Sequence, residues 1–414
     1  LMIYVGLDYI PISLKSFIGC FLDLFTINSP KMIEESDMNN IIYGYSCRSL
    51  FHTTMKYFYR EDMVVVTTPI HHTSFRNIIE KFVKPENIHI IEMNKNYNTI
   101  KKLPDVDRCD LLIVSHLFGQ DLLMDSEMME KFKNKHNCLF IEDRVQGGKI
   151  CKQFSSNLFD ISFYSTGMDK RPVALGGGFM FIRKNLSIHN MNITSNIKNI
   201  ISRYPKETFY SRLIFLLKKI PTYLLYNYKI VHFIILYFIK FLVSINVYFN
   251  ANSFAEMYRK KNPGFSHDNY LIKPSNYLLK SIKNNFINHL QIEMNYINKS
   301  QSYIELFNND ELKYFYPWYH NKPLLTPYHS IYISQNHLEN IRRFLLFFNI
   351  VTIKNPTYKT FNHNYPNKNV DEEFNNSILY LPSLANMNNN ELKKMHMIII
   401  FLKKYLITIT KNND

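Results

Sequence analysis

The chain has 414 residues, a formal net charge of +15 and an aromatic content of 15%. This length is sufficient for one large domain together with a smaller one. The basic residues are mixed with asparagine, isoleucine and tyrosine, and no recognised nucleic-acid-binding module is present, so we do not expect a nucleic-acid-binding protein. The five cysteines form neither a CxxC pair nor another metal-ligand spacing, which argues against a metal site and favours reduced thiols in a cytoplasmic compartment.

The first 30 residues are predicted to form an arm, in which Pro11 to Leu14 are candidates for contact with a partner subunit. The start of the chain lacks the basic region and the cleavage site of a secretory signal peptide. We therefore expect the protein to be cytoplasmic.

Two apolar runs, separated by a helical segment, occupy residues 110–143. The runs are 110–117 and 138–143, and the segment 124–135 between them has apolar residues at helical spacing. Runs of this length that alternate with helices are typical of buried parallel strands joined by crossover helices. Ligands bind at the carboxyl ends of such strands, which is where Asp143 would lie. A buried carboxylate needs a partner, and the protonated ring nitrogen of a pyridine cofactor is one candidate.

Seven of the eleven glycines lie between residues 119 and 178, and the last three, Gly176 to Gly178, are consecutive. Glycine permits unusual backbone angles and a close approach to a ligand, so chemistry is expected in this region. A strand predicted at 161–164 is followed by Lys170, by the three glycines and by another strand at 179–182. Burial would lower the pKa of a lysine in such a turn and would favour its reaction with a carbonyl group.

Three motifs of this region occur in the order and at the separations of one enzyme family. They are His116-Leu-Phe-Gly-Gln120, Ile141-Glu-Asp-Arg-Val-Gln146, and Ser165 followed by Lys170 and the glycines. Together they resemble the DegT/DnrJ-type sugar aminotransferases, which depend on pyridoxal 5'-phosphate. The resemblance implies the α/β fold of the type I pyridoxal-phosphate transferases: a large domain with a central, mostly parallel sheet, and a smaller C-terminal α+β domain.

The resemblance extends upstream to two further segments. Residues 40–50 resemble the turn at which the family binds the cofactor phosphate at a helix start, where N–H groups and the helix dipole favour anions. Arg48 would add a charge-assisted contact. Residues 63–72 resemble the strand and loop that carry an aromatic residue stacked on the cofactor ring. Alignment by the strand places His71 at that position, with His72 beside it.

The resemblance also assigns roles to individual residues. Lys170 would hold the cofactor covalently and then act as the proton shuttle, and Asp143 would keep the ring nitrogen protonated. Among the other implied cofactor contacts, Gln146 would contact the ring hydroxyl and His71 would stack on the ring. Ser165, Arg48 and Ser49 would contact the phosphate. Asn276 would contact the phosphate bound to a partner subunit.

The implied reaction moves an amino group, usually from glutamate, to a nucleotide-linked keto sugar for polysaccharide or glycan synthesis, in a homodimeric enzyme. A related branch of the family dehydrates sugars and has histidine at the lysine position, so Lys170 favours transamination. The chain departs from the family pattern at Cys47, where glycine is usual, and at Arg144 and Val145, where small residues are common. Residues 273–278 also lack the expected arginine.

Simpler interpretations of the same residues remain open. Lys170 could be a surface lysine, Asp143 a helix cap, and His71 an ordinary core or loop histidine. The protein would then be a non-catalytic, membrane-docked binding or scaffold protein that retains the fold. The presence of both Lys170 and Asp143 favours the enzyme.

Residues 171–250 are strongly basic and include the most apolar part of the chain. They contain eleven lysines and arginines and a single acid, Glu207. The run from Ile230 to Phe249 approaches the roughly 20 residues that span a bilayer. Lys240 in its middle would cost about 2.5–3.5 kcal/mol there. Such segments more often make peripheral contact with anionic membranes, and packing within the protein or between subunits is the alternative.

These features predict four regions. Residues 1–30 are the arm, 31–200 the large cofactor-binding domain, 201–262 a hydrophobic and basic insertion, and 263–414 a linking helix with the small domain. The linking helix is expected at 276–307, with Leu278, Ile282, Phe286 and Leu290 along one face. Elements at 328–333, 338–346 and 391–405 are expected in the small domain.

Overall fold

The structure is a computed structural model. It describes residues 4–5, 14–22, 24–25, 40–94, 98–117, 121–146, 158–167, 170, 174–183, 186–188, 191–228, 231, 234, 237–238, 241, 270–283, 305–306, 329–332, 335–348, 350–351, 353–354, 358–361, 378–381 and 387–411.

The helices in these ranges are α1 (Leu14–Leu22), α2 (Cys47–Phe58), α3 (Thr73–Phe82), α4 (Ser126–His136), α5 (Ile193–Ser202), α6 (Phe209–Leu217), α7 (Ile220–Asn227), α8 (276–283), α9 (Gln335–Phe347) and α10 (Asn389–Lys411). The strands are β1 (Tyr4–Val5), β2 (Ile41–Gly44), β3 (Val65–Thr67), β4 (Ile70–His72), β5 (Ile88–Ile90), β6 (Glu92–Met93), β7 (Ile100–Lys102), β8 (Leu111–Ser115), β9 (Leu139–Asp143), β10 (Ile161–Ser165), β11 (Gly178–Ile182), β12 (Ser187–Ile188), β13 (Met191–Asn192), β14 (His329–Tyr332), β15 (Ile350–Val351), β16 (Ile353–Lys354), β17 (Tyr358–Thr360) and β18 (Ile378–Leu381).

Seven strands form the central sheet, in the order β2-β11-β10-β9-β8-β3-β5. The neighbouring strands from β10 to β5 are parallel, whereas β11 is antiparallel to both β10 and β2. The carboxyl ends of β3, β8, β9 and β10 therefore lie along the same edge, where ligands bind in sheets of this kind. The mostly parallel sheet that the apolar runs predict is confirmed.

Helices cover both faces of this sheet, because successive strand side chains enter two different cores. In β8, Leu111 and Ile113 pack with α2, α3 and α5, whereas Leu112 and Val114 pack with α4. These side chains are at most 1% exposed, and burial of each one contributes roughly 1.5–3 kcal/mol. Two-sided burial explains why the strand reads as a continuous apolar run.

A separate core lies in the C-terminal part of the chain. Leu338, Ile341 and Leu345 of α9 pack there against Met395 and Ile399 of α10. A three-stranded antiparallel sheet, in the order β14-β18-β16, belongs to the same part of the chain. Strand β17 returns to the N-terminal half and pairs with β4.

The elements predicted at 110–117, 124–135, 138–143, 161–164 and 179–182 are confirmed as β8, α4, β9, β10 and β11. The elements predicted in the C-terminal part are confirmed as β14, α9 and α10. The linking helix is described as α8, with Leu278 and Ile282 fully buried. Some of the predicted positions lie outside the described residues, namely Phe286, Leu290, residues 11–13, residues 118–120 and most of 230–249.

Glycines place the start of α2 directly against the start of β11. Gly44 lies opposite Gly178 in the sheet, and Ser46 forms a bridge with Gly177. A Cβ atom at Gly178 would lie 2.5 Å from the backbone nitrogen of Cys47 and 2.9 Å from its Cα. Both neighbours are backbone atoms, so a side chain at this position cannot be accommodated by a rotamer change.

Gly178→Ala is expected to lower the free energy of unfolding by about 1–3 kcal/mol, because α2 and β11 must separate to admit the methyl group. Gly19→Ala is the matched control, since a Cβ at Gly19 in α1 meets no atom within 4 Å. That variant should unfold at an equal or higher urea concentration, because alanine favours helix by about 1 kcal/mol over glycine. Equal urea midpoints for Gly178→Ala and the unmodified chain would contradict the close approach.

Candidate active site

Three hydroxyl and carboxyl side chains lie at the carboxyl ends of three adjacent parallel strands. Ser115 ends β8, Asp143 ends β9 and Ser165 ends β10. Ser115 lies opposite Asp143 in the sheet. The sheet thus brings the predicted acid to the edge at which the sequence predicts a ligand.

Asp143 is buried, with 4% of its surface exposed. Its Oδ1 accepts the backbone N–H of Val145 at 3.0 Å, and its Oδ2 accepts the Ser115 hydroxyl at 3.4 Å. Burial raises the pKa of Asp143 to about 6, although the Val145 bond and the charges of His116 and Lys170 act to lower it. The contacts within the chain therefore compensate the ionised carboxylate only in part, so a cationic N–H group next to it would fit this site.

Lys170 lies in the turn between β10 and the glycines, where its backbone N–H donates to the carbonyl of Gly167 at 3.1 Å. Its side chain is partly exposed. The ammonium charge of Lys170 lowers the pKa of Asp143 and also acts on the Cys47 thiol. The chain thus brings the predicted amine, the predicted acid and the start of α2 within electrostatic reach of one another.

The start of α2 is ordered by a reciprocal cap between Ser46 and Ser49. The Ser46 hydroxyl accepts the N–H of Ser49 at 3.0 Å, and the Ser49 hydroxyl accepts the N–H of Ser46 at 3.0 Å. The Ser49 hydroxyl also donates to the Ser46 carbonyl at 2.7 Å. The Ser49 hydroxyl is therefore engaged in the cap of the helix.

Cys47 occupies the position at which the family pattern has glycine. Its side chain is 5% exposed and packs in the core between α2 and the sheet. Burial is the largest of the causes that raise the pKa of the thiol well above its ordinary value. The residue is a small core side chain here, and the close backbone approach is provided by Gly178 instead.

Thr166 connects the lysine turn to the glycines, and sequence reasoning did not single it out. Its backbone N–H donates to the Gly177 carbonyl at 3.2 Å, and its hydroxyl donates to the Gly176 carbonyl at 2.7 Å. Leu175, the residue before Gly176, has a φ of 51°, in the left-handed region. Thr166 follows Ser165 directly, but a lone threonine after a strand carries no recognisable signal.

A buried polar network lies behind Asp143, on the opposite side of β9. Glu142 is fully buried, and its Oε2 accepts Arg144 Nη1 at 2.8 Å and His116 Nε2 at 3.1 Å. His116 Nδ1 accepts the N–H of Leu122 at 3.0 Å, which leaves the ring proton on Nε2. Although burial raises the pKa of Glu142, the bond from His116 and the charge of Arg144 hold it below its ordinary value.

This network explains one departure from the family pattern. Arg144 also donates from Nη2 to Asp121 Oδ1 at 2.7 Å, so it joins the segment after β8 to the segment after β9. An unpaired Glu142 in this place would be costly, and Arg144 neutralises it. The sequence shows that Arg144 is unusual at this position, but it does not reveal its partners, Glu142 and Asp121, the second of which lies 23 residues earlier in the chain.

The two adjacent histidines occupy different environments. His71 is fully buried, and its Nε2 bonds with the hydroxyls of Thr67 at 2.8 Å and Thr68 at 3.1 Å. The edge of its ring packs on Phe361, and burial lowers its pKa to about 3. In this position the ring presents no exposed face to a ligand.

His72 instead lines a cavity of about 150 Å³. Its Nδ1 accepts the N–H of Ser74 at 3.2 Å and thereby caps α3. The other residues that line the cavity are Arg48, Thr73, Ser74, Asn77, Ile78 and Tyr270.

Two predicted residues remain, Gln146 and Asn276. Gln146 is buried, with 9% of its surface exposed, three residues after Asp143. Asn276 is exposed at the first position of α8. Leu278 and Ile282 of the same helix point at Gly177, where a Cβ would lie 3.2 Å and 2.6 Å from them.

No known protein-family model matches the chain, and no curated protein sequence matches it either. Solved structures do match. The aminotransferase PseC of Helicobacter pylori, involved in pseudoaminic acid biosynthesis, has a TM-score of 0.59 at 12% identity, with 98% of this chain and 100% of that chain covered. Spr1654 of Streptococcus pneumoniae, a putative sugar aminotransferase in its PMP form, has a TM-score of 0.61 at 10% identity, with 98% and 100% covered.

NtdA of Bacillus subtilis, solved with bound cofactor PMP, has a TM-score of 0.58 at 12% identity, with 95% of this chain and 83% of that chain covered. At these identities the likeness establishes the fold. The chain has the α/β fold of the type I aminotransferases over nearly its full length, as the three sequence motifs predict.

Proposed function

We propose that the protein is a pyridoxal-phosphate-dependent aminotransferase that transfers an amino group to a nucleotide-linked keto sugar for polysaccharide or glycan synthesis. The observation that carries the proposal is Asp143, a buried and only partly compensated carboxylate that lies within electrostatic reach of Lys170. A purely structural acid at a strand end would be compensated by its own chain, as Glu142 is by Arg144 and His116.

The residues present fit such a cofactor. When bound, it supplies an electron sink for bond changes at the carbon that carries the amino group. Asp143 would accept the ring N–H and keep that nitrogen protonated. Lys170 would hold the cofactor covalently, and its Nζ would remove and return the proton of the reacting carbon.

The neighbouring side chains would position the same group. Gln146 would contact the ring hydroxyl, and Ser165 would contact the phosphate from the end of β10. The first turn of α2 would bind the phosphate through its N–H groups, with Arg48 adding a charge-assisted bond. The cap between Ser46 and Ser49 keeps this turn in place.

The substrates and the assembly state are proposed from the family resemblance. Glutamate is the proposed amino donor, and the proposed enzyme is a cytoplasmic homodimer in which Asn276 reaches the phosphate site of the partner. The names of the matched structures, which include sugar aminotransferases, support a sugar as the acceptor. A non-catalytic scaffold is the competing function, and the lysine test below separates the two.

Lys170→Ala is expected to abolish the visible absorbance of covalently held cofactor and to reduce transamination at least about 10²-fold, because the attachment point and the proton shuttle are lost together. Lys101→Ala, which removes an exposed lysine, is the control and should leave both unchanged. Absorbance spectra after incubation with pyridoxal phosphate give the readout. An unmodified chain that acquires no such absorbance would favour the scaffold.

Asp143→Asn is expected to weaken cofactor binding about 10-fold to 100-fold at pH 7.5, because a charge-assisted hydrogen bond to the ring is lost. Below a pKa of about 6 the Asp143 carboxyl is protonated and neutral, and above it the group is ionised. The advantage of the unmodified chain over the variant should therefore shrink as the pH falls through 6. Cofactor titrations from pH 5 to pH 8 test this, with exposed Asp107→Asn as the control. A constant ratio across the range would count against the role of Asp143.

The stacking position is expected at His72, because His71 is enclosed whereas His72 borders the cavity beside Arg48. His72→Phe keeps an aromatic ring but loses the cap of α3, and His72→Asn keeps a capping side chain but loses the ring. Cofactor affinity should fall about tenfold in His72→Asn and stay within threefold in His72→Phe. If cofactor affinity fell more in His72→Phe than in His72→Asn, or fell only in His71→Asn, the stacking residue would be His71. Titration by cofactor absorbance distinguishes these results.

A further inference from the structure

Helices α6 and α7 carry a line of exposed apolar side chains. The most exposed of these side chains is Tyr210, at 74%. The others are Ile214 (51%), Leu217 (48%), Leu224 (39%) and Tyr228 (42%). Their separations of four, three, seven and four residues place them on one side of consecutive helical turns. The described positions further along the chain continue the pattern, with exposed apolar side chains at Ile234, Tyr237, Phe238 and Phe241.

The outer side of α1 adds to the same surface. Leu14, Ile18, Leu22 and Phe25 are 45–67% exposed, and α1 packs on α6. Thirteen of the twenty exposed large apolar side chains of the described residues belong to 14–25 and 210–241. We call these thirteen residues the outer stripe. A concentration of this kind on one face marks an interaction site rather than scattered surface residues.

The inner side of the same helices is packed against the rest of the chain. Leu216 and Tyr223 are buried with Phe17, Cys20 and Leu24. The rings of Phe17 and Tyr223 stack at 4.0 Å between centroids. The inner sides of α1, α6 and α7 are therefore covered by apolar side chains of the same chain.

The inner side also contacts the loop that follows Lys170. Arg212 Nη1 donates to the carbonyl of Leu175 at 3.4 Å, and its guanidinium lies over the ring of Phe215 at 5.0 Å. A Cβ at Gly176 would lie 3.1 Å from the Phe215 ring. The outer stripe is thus carried by helices that pack directly against the candidate active site.

Among residues 191–228, the exposed charged side chains are all basic. Lys198, Arg203, Lys206 and Lys218 are exposed, whereas the single acid between residues 171 and 250, Glu207, is 5% exposed and accepts the Ser275 hydroxyl at 2.5 Å. Lys218 directly follows Leu217 of the outer stripe, and an apolar surface with adjoining basic side chains is complementary to an anionic lipid headgroup layer.

We propose that the outer stripe docks the protein on the surface of an anionic membrane, with its apolar side chains at the boundary between headgroups and acyl chains. An anionic surface complements this region better than a second copy of the chain does, because the exposed charged side chains of residues 191–228 are basic on both copies. Among the described residues, none of the helices combines the length and apolarity required to cross a bilayer. Helices that lie flat in the interface agree with both observations.

Sedimentation of the full chain with vesicles tests the proposal. Vesicles rich in phosphatidylglycerol should bring down most of the protein, vesicles of phosphatidylcholine alone should bring down much less, and added salt should release a large part of it. Equal recovery with both vesicle types and without vesicles would overturn the proposal. This readout needs no cofactor and no turnover, so it is independent of the proposed enzymatic function.

Substitutions on the outer stripe provide the second test. Ile214→Ser combined with Leu217→Ser should reduce partitioning onto anionic vesicles at least about tenfold, and Lys218→Gln about fivefold. Phe347→Ser and Lys101→Gln are matched controls, because both residues are exposed elsewhere on the protein, and both variants should bind as the unmodified chain does.

The oligomeric state of the same variants is measured by size-exclusion chromatography with light scattering, and circular dichroism verifies that they are folded. Loss of vesicle binding without a change in oligomeric state supports the proposal. The proposal would be overturned if the folded double variant bound vesicles as before, or if it lost a dimer rather than vesicle binding. The second result would assign the outer stripe to self-association.

Discussion

The ionised carboxylate of Asp143 is the feature on which the rest of the candidate site depends. A carboxylate at the end of a buried strand is costly unless cationic or N–H groups surround it. Asp143 receives a backbone N–H from Val145 and a hydroxyl from Ser115, which do not fully restore its ordinary pKa. This condition of Asp143 is the observation that supports the proposed ligand with a complementary charge.

Glu142, the residue before Asp143, shows how the same strand treats an acid with a structural role. It is bonded by Arg144, His116 and Ser162, and these contacts hold its pKa below the ordinary value despite burial. The two carboxylates point to opposite faces of β9 because side chains alternate along a strand. The chain lowers the pKa of Glu142 but leaves that of Asp143 raised, and this difference supports the separate roles proposed for the two acids.

The sequence predicted the parts of this site that depend on local patterns. The apolar runs gave the strands β8, β9 and β10 within three residues, and the spacing from Ser165 through Lys170 to Gly176 located the lysine turn. Contacts between distant segments could not be predicted in the same way. Arg144 bonds with Asp121 and Glu142, Thr166 with the glycine carbonyls, and β17 pairs with β4, and none of these pairings has a periodic signal in the sequence.

The two adjacent histidines illustrate the same limit at the scale of one residue. Alignment by the preceding strand placed His71 at the ligand, but β4 turns His71 towards Thr67, Thr68 and Phe361. A shift of one residue reverses the side of a strand on which a side chain lies, so motif alignment without structure is least reliable for such neighbours.

The contact of Arg212 with the Leu175 carbonyl gives helix α6 a role beyond that of an appendage. Leu175 has a left-handed backbone conformation, which is unfavourable for leucine and requires support from its surroundings. Helix α6 is therefore not a removable part of the chain. A shorter version of the enzyme engineered without α6 would need a new way to shape the lysine loop.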